Sequence, residues 1–332
     1  LTAEYHHLQE FRRGGDNLDL PPHEAMIAEQ TKHGINTGGL KFDWFSKDQK
    51  HRLNIFASLQ HIDRDSYYGA GQDPNAYGKT TDLTWVGGGQ YVYKMENCLF
   101  MPSDLTLGLE YNEDYLRDNM WGYDRITDQT VRIVSAYGQN EWKNARWGIL
   151  IGGRLDKHNL IDGLIFSPRA NLRYNPNENI NFRASYSYGF RAPQAFDEDL
   201  HIDNVGGTVS MIRLADDLRV EKSQSVSVSA DMYHSWGNWQ GNILLEAFFT
   251  DLDDVFALKE IGFENGILIK ERHNESGARV FGGNLEGKVA YKNLIQVQLG
   301  LTAQRSRYKE ARSWGDDVEE TRKMFRTPDL HG

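Results

Sequence analysis

Apolar and polar residues alternate with a period of two along almost the whole chain. In residues 294–305, Ile295, Val297, Leu299, Leu301 and Ala303 fall on one face, and Gln296, Gln298, Gly300, Thr302 and Gln304 on the other. Residues 223–232 repeat the pattern, with Val226, Val228, Ala230 and Met232 against Ser225, Ser227, Ser229 and Asp231. So do residues 53–59, 105–111, 147–155 and 180–190. Helical spacing is hard to find anywhere. The pattern predicts an all-β chain of antiparallel strands, each with one apolar and one wet face. The segments run for roughly 10 to 15 residues, longer than the ~5–6 of a soluble sandwich and matched to the ~9–11 that cross a bilayer at a tilt.

The connections alternate in length. Short polar turns stand at 47–50, 143–146, 175–179, 235–238 and 292–293. Long polar stretches stand at about 11–34, 67–80, 117–128, 158–167, 192–219 and 312–321. Tight turns at one end and extended loops at the other are the signature of an outer-membrane β-barrel, with the turns on the periplasmic side. Tyr91, Tyr93, Trp142, Trp147, Trp236 and Trp239 lie near short turns, where an interfacial aromatic girdle belongs. About fourteen strands can be counted in this way. The connection near 95–104 is of middling length and fits less cleanly.

Composition then narrows the function. A net charge of −10 argues against a nucleic-acid partner. Cys98 is the single cysteine, so neither a disulfide framework nor a thiolate metal site can be built. No run approaches the ~18 apolar residues of a membrane helix, as expected of a chain that crosses with strands. A phosphate loop, G-x-S-x-G and H-E-x-x-H are all missing, which points away from an enzyme. The carboxylates Asp251, Asp253 and Asp254 in "FFTDLDDVF" read as a strand end entering a loop rather than as a glycosidase pair.

The stretch "SPRANLRYNPNENINFRASYSYGFRAPQAFDEDLH" (167–201) ends a strand on Gly-Phe-Arg-Ala-Pro and opens an acidic loop. It resembles the barrel of TonB-dependent outer-membrane receptors. "EFRRGGDNLDLPPHE", "WGILIGGRLDKHN" and "MFRTPDLHG" look like further stretches of such barrels, particularly of Bacteroidetes-type members. The resemblance covers most of the chain. It implies residence in the bacterial outer membrane among its lipids, and a barrel of about 22 strands. It further implies an N-terminal plug through which the TonB–ExbB–ExbD complex supplies energy. The plug is not seen here, and the chain stops at His331-Gly332 rather than on an aromatic closing strand. Residues 1–332 are therefore expected to be a partial barrel domain without plug and closing strands.

Candidate binding residues lie in the long polar stretches. Arg12 and Arg13 offer a basic pair for an anionic ligand, and Tyr67 and Tyr68 join aromatic rings to glycines suited to clamping a bulky one. Trp121, Tyr123 and Trp314 are further loop aromatics, and Arg191 stands at a strand's upper end on the lumen parity of Arg183 and Ser185. The cluster Asp197, Glu198, Asp199 and His201 has the oxygen and imidazole donors of a cation site, and some members of the resembled family order such loops with Ca²⁺. The spacing is not that of an EF-hand, and an exposed acidic loop is usually just solvated.

The expected function is active, TonB-energised uptake of a scarce, bulky nutrient: a ferric siderophore, cobalamin or similar metal chelate, or a glycan. No bond is made or broken. One alternative is a complete fourteen-stranded passive channel of the porin type. A more distant one is a soluble β-rich protein that binds glycans.

Overall fold

The computed structural model describes residues 1–195, 210–264, 266–313, 319–324 and 327–332. Nine strands follow one another in an unbroken antiparallel meander. They are β1 (Thr2–Gly15), β2 (Ile27–Phe45), β3 (His51–Ala70), β4 (Tyr77–Cys98), β5 (Met101–Met120), β6 (Arg125–Lys143), β7 (Trp147–His158), β8 (Ile165–Asn177) and β9 (Ile180–Arg191). The short β10 (Ser210–Leu214) stands off this path. The meander resumes with β11 (Glu221–Trp236), β12 (Trp239–Glu264), β13 (Ile267–Tyr291) and β14 (Ile295–Arg312). Two fragments, β15 (Thr321–Lys323) and β16 (Leu330–His331), add to the edge of β14. Among the described residues fourteen strands lie on the hydrogen-bonded path, in agreement with the sequence reading.

Register turns the alternation into two surfaces. Cross-strand partners run Leu155–Phe166, Leu172–Ala184, Ala184–Val228, Val228–Ala247, Leu245–Leu285 and Leu285–Leu301, all on one face. The large members of this series stay between 41 and 57% exposed, which is tolerable only if lipid covers them. Ser185, Ser227, Thr250, Asn284 and Thr302 line the opposite face and bond across strands, as Ser225 does to Thr250 at 2.9 Å and Thr302 to Asn284 at 2.9 Å. That is the water-facing lumen.

All the predicted short turns are present, at 46–50, 144–146, 178–179, 237–238 and 292–294, and the middling connection proves to be another at 99–100. Aromatic pairs sit beside them: Trp147 on Tyr174 at 4.2 Å between centroids, Trp239 on Tyr291 at 4.8 Å, and Phe100 on Trp142 at 5.6 Å. From Trp239 to Phe249, the apolar face of β12 covers about 25 Å of membrane at the usual tilt.

The far end differs from expectation. The stretches 67–80 and 117–128 are not long loops, because β3–β4 and β5–β6 continue upward and turn only at 71–76 and 121–124. Asp251 and Asp253 are likewise not at a strand end, since β12 runs on to Glu264 against β13. Above the bilayer both faces of a strand are wet, so its sequence turns polar on both sides and reads as loop. The stretch 192–219 also contains a strand: β10 pairs with β13 in parallel, Ser210 opposite Leu268 through Leu214 opposite Arg272.

Candidate functional site

The β10–β13 pair leans across the mouth of the sheet. Met211 and Ile269 bury themselves against Tyr68 of β3 and Met120 of β5, with Tyr123 and Ile267 packed around them. Strands far apart in the meander thus meet above the lumen. A second cluster, Ala25, Ala28, Tyr67 and Ala76, fixes the neighbouring loops and shares Tyr123 with the first. The tip at 121–124 fits closely on the tip at 71–76: a Cβ on Gly122 would lie 2.4 Å from Asn75, so only glycine permits the approach.

Under this roof lies a cavity of about 770 Å³. One wall is the lumen face of β6, with Arg125, Thr127 and Gln129, and the other is Met211, Arg213 and Ile269. The chain past β9 folds in at its edge, where the Ala195 amide donates to Gln129 Oε1 at 3.1 Å. Arg213 makes a two-pronged contact with Glu264, at 2.7 and 2.6 Å, tying β10 to the β12 tip.

Behind the cavity the wall is polar and dry. Asp118 is 1% exposed and accepts from Thr80 Oγ1 at 2.5 Å and from Arg125 at 2.5 Å. Arg64 donates to Thr80 at 3.0 Å and stands 4.0 Å from Asp118. Lower on the same face, Arg154 donates to Asp156 at 2.7 Å, Glu110 at 2.7 Å and Ser135 at 2.6 Å. These sets fix the strand ends rigidly around the cavity, because a buried charge left unpaired is costly.

The predicted residues take several positions. Tyr67 and Tyr68 are adjacent in sequence, but the pleat sends them to opposite faces. Tyr68 joins the roof, while Tyr67 is fully buried and donates to the Asp73 carbonyl at 2.8 Å. Burial, and then the nearby Asp73 carboxylate, push the Tyr67 phenol up to about 12. Tyr123 donates to the Asp73 carboxylate, and burial with that bond raises its pKa too. Trp121 is exposed at the same tip.

Arg12 and Arg13 also point to opposite faces of β1. Arg12 contacts Glu10 at 2.9 Å and Arg13 donates to the Gly14 carbonyl at 3.0 Å. Arg191 lies 5.4 Å over the Phe256 ring, at the loop base rather than at the roof. Trp314, Asp197, Glu198, Asp199 and His201 lie outside the described residues. Among the described residues no group of three or more His, Cys, Asp or Glu side chains is arranged for a metal ion. Sequence reasoning passed over Arg64, Asp118, Arg125, Met211 and Ile269. They come from five strands, β3, β5, β6, β10 and β13, and no local motif links them.

Comparisons with known proteins agree on the architecture. The family described as "TonB dependent receptor-like, beta-barrel" matches residues 9–330. Among curated proteins, none matches this chain. The siderophore receptor PirA from Acinetobacter baumannii superposes with a TM-score of 0.61 at 16% identity, over 84% of this chain and 45% of its own. The outer-membrane transporter YddB from Escherichia coli gives 0.67 at 10%, over 92% and 45%. The alcaligin outer-membrane receptor FauA from Bordetella pertussis gives 0.59 at 16%, over 92% and 49%. The chain therefore spans about half the length of these structures, and at such identities the likeness is one of fold.

Proposed function

Because this chain belongs to the TonB-dependent receptor-like β-barrel family, whose members are outer-membrane β-barrels, we propose that it takes part in the energised uptake of a bulky metal chelate. The observation that carries this reading is the roofed cavity of about 770 Å³ at the loop end of the lumen, a size suited to a whole chelate. Its lining mixes Arg125, Arg213, Thr127 and Gln129 with Met211 and Ile269, able to meet both the polar rim and the apolar body of such a ligand. The names of two solved neighbours, a siderophore receptor and an alcaligin receptor, make a ferric siderophore the first candidate ahead of cobalamin or a glycan. Energy would come from TonB with ExbB and ExbD, acting on a plug contributed by further chain. The 45% coverage of the siderophore receptor supports a larger barrel to which these strands contribute. Receptor and transporter chemistry requires no bond to be broken. Ca²⁺ on Asp197, Glu198, Asp199 and His201 would order the loop after β9, and a Bacteroidetes-type origin rests on the quoted phrases alone.

The test is uptake by cells that express the natural full-length protein in a strain lacking other receptors. Radiolabelled ferric siderophores, cobalamin and an oligosaccharide are offered in parallel, with and without an uncoupler. Uncoupler-sensitive accumulation of an iron chelate supports the proposal. Uptake that persists without energy would replace it with a passive channel.

A further inference from the structure

We infer that Arg169, Arg173 and Arg183 form a transit site for an anionic chelate in the periplasmic half of the lumen, an inference that rests on the uptake reading above. The three stand on the water-facing side of β8 and β9, on the parity of Asn171 and Ser185. Arg173 and Arg183 are direct cross-strand partners, and Arg169 lies four residues above Arg173, ~13 Å along the strand. Arg169 donates to the neutral Gln139 side chain, and Arg173 to the Asn144 and Trp147 carbonyls at 3.0 and 3.4 Å. Among the described residues none of the three is ion-paired, in contrast to Arg154 above them, which Glu110 and Asp156 neutralise. The carboxylates nearest to Arg183 in register, Asp231 and Glu246, take their hydrogen bonds from Tyr233, Asn242 and Asn284.

This charge is set among the smallest side chains of the wall. Gly152 and Gly148 of β7 are the partners of Arg169 and Arg173, and a Cβ on Gly148 would come within 3.3 Å of the Arg173 Nε. Ser185 and Ser187 of β9 and Ser227 and Ser229 of β11 continue the same face around Arg183. Long cations among Gly and Ser leave room for a guest beside them. Like charges directly opposite each other destabilise a sheet. A wall that had only to be polar would repeat the Asn171–Ser185 pair found one step higher. An anion seated between Arg173 and Arg183 offsets their repulsion and receives charge-assisted hydrogen bonds.

The line also joins two ends of the lumen. Arg169 lies diagonally below Arg154, on the wall beneath the loop-end cavity, and Arg173 reaches the turn at 144–146. A fixed protein segment needs its partner at one depth, whereas a ligand descending from the cavity meets each step in turn.

The experiment uses the natural full-length protein in cells that lack other iron-chelate receptors. Binding to energy-poisoned cells and uptake by energised ones are measured with a radiolabelled anionic ferric tris-catecholate and an uncharged ferric tris-hydroxamate. Arg173→Gln with Arg183→Gln is expected to leave binding unchanged and to slow catecholate uptake by about tenfold, with hydroxamate uptake untouched. Arg173→Lys with Arg183→Lys, which keeps the charge, is expected to restore most of the rate. Heat-modifiable migration on gels controls for folding in every variant. Equal slowing of both chelates would overturn the proposal and assign the arginines to an acidic face of the plug. Full catecholate uptake in the Gln pair, or uptake of the hydroxamate alone by the parent, would overturn it too. A second readout needs no chelate. In a Cys98→Ser, Ser185→Cys protein, an anionic methanethiosulfonate is expected to react severalfold faster with the arginines present than with the Gln pair, and a cationic one more slowly. Equal rates would overturn the site even where neither chelate is carried, an outcome that by itself ends only the metal-chelate reading.

Discussion

Replacing Asp118 by alanine is the most demanding probe of the roof. The carboxylate is 1% exposed, holds Arg125 at 2.5 Å and accepts from Thr80, with Arg64 just behind. Arg64 is itself buried, and the Arg125 side chain is nearly so. Without Asp118, both guanidinium groups lose a carboxylate partner in a site that is largely shut off from water. Breaking a buried pair from one side costs about 3–5 kcal/mol. The loss should be local, because the bilayer band below does not depend on these groups. Hydrogen exchange reads local opening directly. At about 1.4 kcal/mol per decade, exchange of the amides at the upper ends of β4, β5 and β6 should quicken by at least two orders of magnitude. Amides near Leu107 and Ala136 should keep their rates. Thr80→Val, which removes one hydroxyl and leaves both charges, should cost only about 1–3 kcal/mol. An Asp118→Ala effect below tenfold would refute the reasoning, for it would mean that water already screens these charges.

Three further outcomes follow from the two faces and the turns. Leu245→Lys, at mid-membrane on the lipid face, should destabilise the barrel by about 2–4 kcal/mol in bilayer unfolding titrations, whereas Ser227→Lys on the lumen face should be nearly neutral. Met211→Glu should separate β10 from Tyr68 and Met120, raising protease cleavage in 192–219 while heat-modifiable migration persists. In the turn at 46–50, the Ser46 hydroxyl and the Lys50 amide hold the Asp48 carboxyl below its usual 3.8. A depressed folded pKa means this contribution is present above the unfolded value and fades as pH falls through the folded one. An NMR titration should therefore find Asp48 titrating below 3.8 in the folded protein and at the ordinary value in a Ser46→Ala, Lys50→Pro variant.

Much of the fold was legible, for a physical reason. Within the bilayer every residue must choose lipid or water, so Val226–Ser227–Val228–Ser229 declares its faces unaided. Turns such as 237–238 were legible because a tight reversal needs the positive φ that Gly237 supplies. Above the membrane that choice disappears. The upper parts of β12 and β13 carry charge on both sides, and their strand character comes from pairing with each other. The site suffered most from this. Arg12-Arg13 and Tyr67-Tyr68 look like pairs when read as loop, yet a strand parts neighbours to opposite faces. Conversely Tyr68, Met120, Met211 and Ile269 act together only because β10 crosses the mouth, and no spacing encodes that crossing.

That crossing also sets an order of assembly. With β10 set aside, each main strand of the meander pairs with the main strand that precedes it, so the wall can grow strand by strand as the chain emerges. Strand β10 cannot, because its partner is the far arm of β13, made only after β11 and β12 are complete. Parallel pairing across so long a connection must wait for that arm to exist. The wall as far as β13 is thus laid before the roof can close, and a chain stalled after β12 would hold an open funnel.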